Sequence, residues 1–159
     1  MKFYIKQKIF TFNDQFTVKD EMGNDRYFVE SEFFTFGKKL HISDMNGNEL
    51  LSIEQKLFTF LPQYNLVRRE EIMATIIKEF TFFSQSYSIE GMPLTVEGDF
   101  FDHTYDIFRD GRPIASIYKE WFTWGDSYVV DISRATDTDP LIILAIAITI
   151  DCVMDAKNN

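Results

Sequence analysis

Apolar residues in this chain gather in segments of roughly 6–12 residues, separated by polar turns built from Gly, Asn and Asp. The segments 26–36, 40–44 and 114–123 are rich in Phe, Tyr, Val, Ile and Thr, residue types that fit a pleated, half-buried surface. They read as strands. One aromatic word recurs among them: Phe10-Thr11-Phe12, Phe34-Thr35-Phe36, Phe58-Thr59-Phe60, Phe80-Thr81-Phe82 and Phe122-Thr123-Trp124. The first three copies are 24 residues apart, and Phe16, Leu40 and Tyr64 repeat in the same register. So do Asp20-Glu21-Met22-Gly23-Asn24 and Asp44-Met45-Asn46-Gly47-Asn48. A fixed period of this size marks a repeated supersecondary unit.

Two kinds of turn alternate within each unit. One follows the aromatic word, as at Gly37-Lys38 and Gly125-Asp126. The other is Asp-x-x-Gly-Asn. Both supply the left-handed backbone conformations that hairpins need. If every unit is strand, aromatic turn, strand, Asp-Gly turn, the aromatic turns collect at one end of the sheet. About twelve strands fit between positions 3 and 133 at this spacing. The expectation is a mainly β, closed antiparallel barrel, one domain over residues 1–159.

The C-terminal pattern is different. Asp139 and Pro140 open a helix as N-cap and first helical residue. The run 141–150 then has no polar face, and such a helix must be enclosed. A dozen-stranded barrel is wide enough to hold it, so the expectation is a central helix over about 140–155. An Ile-rich strand is the competing reading; the Asp-Pro start and two alanines favour helix.

Composition narrows the functional classes. A formal charge of −9 disfavours nucleic acid as a partner. The lone cysteine, Cys152, allows no internal disulfide and fits a cytoplasmic protein, and the run 141–150 is too short to span a bilayer. No phosphate-binding glycine loop, Gly-x-Ser-x-Gly elbow or His-Glu-x-x-His is found, so neither cofactor nor metal is expected. His41, set in a strand pattern, reads as a satisfied or solvent-facing histidine.

Several of these segments resemble the bacterial LURP-one-related proteins: Ile5-Lys6-Gln7-Lys8, Phe33-Phe34-Thr35-Phe36-Gly37, Ile53-Glu54-Gln55-Lys56, the stretch from Glu97 to His103, and Trp121-Phe122-Thr123-Trp124-Gly125. That family belongs to the tubby C-terminal-like superfamily, together with phospholipid scramblases. The resemblance implies a twelve-stranded barrel around a hydrophobic C-terminal helix, and it supplies no mechanism.

Two constellations carry the candidate chemistry. Glu97, Asp99, Asp102 and His103 form the densest polar cluster, with acids enough for acid–base work. Strand alternation sends Glu97 and Asp99 to one face, and Asp102 to the other if the strand continues. A metal-dependent hydrolase using Asp102 and His103, or a scramblase-like peripheral membrane protein, is the alternative to a non-catalytic binding module. The second constellation precedes the aromatic words: Lys8, Glu32, Lys56, Lys78 and Glu120 each stand two residues upstream. If the units superpose, Lys8, Lys56 and Lys78 share one face near the aromatic turns. There they would form a site for an anionic lipid or small anion, with a protein partner as the other expectation.

Overall fold

The computed structural model describes residues 1–6, 15–34, 37–80, 85–122 and 125–158. Twelve strands precede one helix: β1 (Lys2–Lys6), β2 (Gln15–Lys19), β3 (Asp25–Phe34), β4 (Gly37–Asp44), β5 (Glu49–Gln55) and β6 (Gln63–Arg68); then β7 (Glu71–Phe80), β8 (Gln85–Glu90), β9 (Leu94–Asp99), β10 (Thr104–Arg109), β11 (Arg112–Phe122), β12 (Gly125–Ile132) and α1 (Pro140–Asn158). Each strand pairs antiparallel with its neighbours in sequence, and β1 closes the barrel on β12 with Phe3 opposite Val130 and Ile5 opposite Tyr128. Closure removes the unpaired edges an open sheet of this size would expose.

Alternation decides which side chains turn inward. Along β4, Lys38, Leu40 and Ile42 are buried while their neighbours stay partly exposed; along β7, Ala74, Ile76 and Lys78 do the same. The repeated Asp turns fold alike because the same atoms recur at the same offsets. Asp20 Oδ1 accepts hydrogen bonds from the backbone N–H of Met22 and Asn24, and Asp44 Oδ1 from those of Asn46 and Asn48. The backbone bond from Asn24 at Asp20, and at Asp44 the Asn48 side-chain amide donating to Oδ2 at 2.9 Å together with the backbone bonds, hold both carboxyls below the usual Asp range.

The helix reading prevails over the strand. Asp139 Oδ1 accepts the Leu141 N–H at 2.9 Å, the N-cap geometry that its position implies. Every residue from Leu141 to Met154 is buried, and the run shares one apolar cluster with the inner wall. Inside a closed barrel a strand would find no partner for its backbone, whereas a helix satisfies its own. Even the Thr149 hydroxyl is bonded, to the Ala145 carbonyl at 2.7 Å. Arg68, bound to Asp139 at 2.8 Å, and Arg109, bound to Thr138 at 2.8 Å, pin the point of entry. Among the described residues no helix is long and apolar enough to cross a membrane.

Because neighbours in sequence are neighbours in the sheet, the β1–β2, β3–β4, β5–β6, β7–β8, β9–β10 and β11–β12 links all lie at one end. This is the aromatic-turn end. The helix enters from the other end and runs towards it.

Candidate functional site

Several aromatic side chains at the aromatic-turn end stay exposed. Phe58 and Phe60, in the β5–β6 link, are 103% and 102% exposed. Phe80 closes β7 at 66%, and Phe101 stands in the β9–β10 link at 58%. At the opposite end the exposed large apolar residues are Met1, Met22, Met45 and Ile72. Among the described residues, exposed aromatic rings are thus confined to one rim, although single exposed apolar residues are ordinary on any protein. Of the aromatic words, positions 10–12, 35, 36, 81, 82, 123 and 124 lie outside the described residues.

The lysine constellation does not assemble as the repeat implies. Lys8 lies outside the described residues. Lys56 is exposed just beyond β5, whereas Lys78 is 2% exposed and points into the barrel in the same alternation as Ala74 and Ile76. Lys56 and Lys78 therefore occupy different surfaces, so the single face expected of them is corrected. The cause is a difference in phase: β7 runs through Lys78 to Phe80, whereas β5 stops at Gln55, before Lys56.

The polar cluster divides too. Glu97 and Asp99 are exposed on the outer side of β9. Asp102 is exposed and accepts from Lys119 at 3.2 Å, whereas His103 is buried. Asp102 and His103 thus do not form the acid–base pair that the sequence offers. The strand stops at Asp99, and a turn carries Phe100 and His103 inward while Phe101 and Asp102 face out.

His103 finds another carboxylate, 48 residues away. Its Nε2 lies 2.8 Å from Asp151 Oδ1 on α1, with both residues at most 5% exposed. The Tyr128 ring stacks on the imidazole at 4.9 Å and 24°. Phe100 packs edge-on against Tyr87 at 4.9 Å and tilted against Tyr105 at 5.1 Å. Five atoms here lack hydrogen-bond partners among the described residues: His103 Nδ1, Asp151 Oδ2 and the hydroxyls of Tyr87, Tyr105 and Tyr128. Each such group costs about 1–3 kcal/mol when buried unmet. Burial, and for Tyr105 and Tyr128 also the Asp151 carboxylate, pushes the three phenols well above their usual range. Burial does the same to the Cys152 thiol, leaving it a poor nucleophile.

Gly98 makes this packing possible. Its φ is +144°, and a Cβ there would come within 2.6 Å of the Thr104 carbonyl oxygen and of Tyr105 Cα. No side chain fits between β9 and the inward Tyr105. Sequence reasoning missed Asp151 and the tyrosines. The available signal was a carboxylate closing a run that offers no polar face.

Elsewhere the chemistry is already satisfied. A groove of about 750 Å³ beside β5 and β6 is lined by Lys39, Glu54, Arg68 and Leu141 among others. Two of its three lining cations are paired, Lys39 with Glu54 at 2.8 Å and Arg68 with Asp139 at 2.8 Å, and Arg69 is the third. His41 bridges two acids, Glu49 at 2.6 Å and Glu32 at 3.0 Å, as a satisfied outward histidine. No group of three or more His, Cys, Asp or Glu suited to a metal occurs among the described residues.

Comparison with known proteins fits this architecture. The sequence profile of the family described as LURP-one-related matches residues 1–151. An uncharacterized protein of Bacillus subtilis (strain 168), YxjI, is 35% identical over 155 residues, covering 97% of this chain and 94% of that one. An X-ray structure of an Arabidopsis thaliana protein superposes with a TM-score of 0.63 at 12% identity, over 99% of this chain and 91% of the other. At that identity the likeness concerns the fold.

Proposed function

This chain belongs to the LURP-one-related family, and on that premise we propose a non-catalytic binding module that docks onto a lipid surface by its aromatic-turn end. The observation that carries the reading is the confinement of exposed Phe58, Phe60, Phe80 and Phe101 to one rim. Phenyl rings held on loop tips bury apolar area in an interface without any change in the barrel, and binding strength follows that area. Charge plays the lesser part. Among the described residues, exposed Lys6, Lys56 and Lys119 stand with exposed Glu79, Asp99, Asp102 and Glu120, and Lys119 is bonded to Asp102, so positive charge does not predominate there. The non-catalytic half of the reading rests on the separation of Asp102 from His103 and on the burial of His103 and Cys152.

Vesicle flotation tests the proposal. The protein is expected to float with both phosphatidylcholine vesicles and vesicles containing phosphatidylserine, with little loss between low and physiological salt. Phe58→Ser/Phe60→Ser should lower partitioning at least ~10-fold, since burying one Phe contributes about 1.5–3 kcal/mol, and should leave the melting temperature unchanged. Flotation with anionic vesicles only, abolished by salt, would assign the docking to charge and overturn the aromatic reading. No flotation at all would reject lipid and make a protein the partner of the same rim.

A further inference from the structure

The interior beneath the rim contains more hydrogen-bonding capacity than the fold uses. Tyr87, Tyr105 and Tyr128 project from β8, β10 and β12, which with β9 and β11 form one continuous arc of wall. Ring contacts join them: Phe100 lies 4.9 Å from Tyr87 and 5.1 Å from Tyr105, and Tyr128 stacks at 4.9 Å on His103, whose Nε2 meets Asp151 at 2.8 Å. His103 and Asp151 close this arc from the turn and the helix. All five residues are at least nine-tenths buried, and all five keep an unpartnered polar atom among the described residues. Buried polar groups in folded proteins are bonded as a rule, so a group of five calls for a common explanation.

We propose that these atoms line a binding site for a small uncharged molecule that carries both hydrogen-bond donors and acceptors, of the amide or phenol class. Three features select that chemistry. The phenols are protonated and uncharged, so each both donates and accepts. The His103 Nε2–H already engages Asp151 Oδ1, so Oδ2 is the carboxylate oxygen left to accept from a donor on the molecule. With Nε2–H donating to Asp151, His103 Nδ1 carries a lone pair and, with Asp151 Oδ2, accepts from the molecule. Shape favours a planar ligand, because the His103–Tyr128 stack and the Phe100 ring form aromatic walls. A metal ion is a poor match. Nε2 faces Asp151 while Nδ1 lies on the other side of the ring, so one ion cannot take both.

The proposal stands apart from rim docking, and its test uses no vesicles. Phenol and acetamide are titrated separately into the full chain and into Tyr105→Phe/Tyr128→Phe, with melting temperature and calorimetry as readouts. The wild-type protein should show a saturable upward shift with at least one probe, and the variant should bind that probe at least tenfold more weakly. Without probe the variant should melt at or above the wild-type temperature, because it loses two unmet hydroxyls. A variant that melts clearly lower would show that structural water already satisfies the hydroxyls, and would overturn the proposal. So would the absence of a saturable shift with either probe in the wild type. Should the variant not fold, the wild-type titration alone decides.

Discussion

Single residues decide where this barrel keeps its charges, and His41 shows how. Its partial burial alone would lower the imidazole pKa, but hydrogen bonds to Glu49 and Glu32 outweigh that and hold it above the ordinary value. A raised folded value means that the stabilisation is complete below the unfolded pKa, about 6.5, and is lost as pH rises through the folded one. His41→Gln should therefore be least stable relative to wild type below about pH 6.5, by about 0.2–1 kcal/mol per pair. Denaturant melts from pH 5 to 9 check this, and the gap should close towards the alkaline end. That His41 is satisfied is legible from its strand setting, since a lone imidazole between Leu40 and Ile42 has only its neighbours across the strand. The partner of His103 is not legible in the same way. Asp151 lies 48 residues off on another element, and a strand reading through Asp102 misses the turn that reverses which side chains face in.

Among the elements, α1 is the one whose sequence speaks most plainly. Asp139, Pro140 and an apolar run leave one solution once a closed wall surrounds it. Asp139 serves twice, capping the Leu141 N–H and pairing with Arg68. Asp139→Ala should cost about 0.5–2 kcal/mol in urea denaturation. Asp139→Asn, which keeps a capping oxygen and drops the charge, should lose less. Equal losses would assign the effect to the ion pair. The strands are legible as a set, from their spacing and turn chemistry, but their individual ends are not. The repeat assigns Lys56 and Lys78 the same place, yet β5 ends before Lys56 while β7 continues past Lys78. A periodic sequence fixes the order of strands better than the phase of any one residue, because a single residue of slip turns every side chain to the other face.

At the scale of the whole molecule, wall and helix form one core, so neither should persist without the other. Ile146, fully buried at the middle of α1, tests this. Ile146→Asp should abolish dispersed amide resonances by leaving an unpaired buried charge, whereas Ile146→Val should fold and lose only about 0.5–1.5 kcal/mol. The closed sheet was legible because repeat, turn types and enclosed helix all point to it. The gathering of the aromatic turns at one end was legible from the same alternation, whereas the exposure of their rings and the interior cluster were not, since both depend on how the links fold over. The position of α1 after β12 also has a bearing on how the molecule comes into being. During synthesis the wall emerges first and its filling last, so until α1 leaves the ribosome the strands face an interior with nothing in it. A nascent chain in that state resembles a hollow stave-work with wet apolar staves, and closure of β1 on β12 must await the segment that follows both. Chaperone dependence during translation, more than stability once finished, is where such an order of assembly makes its demand.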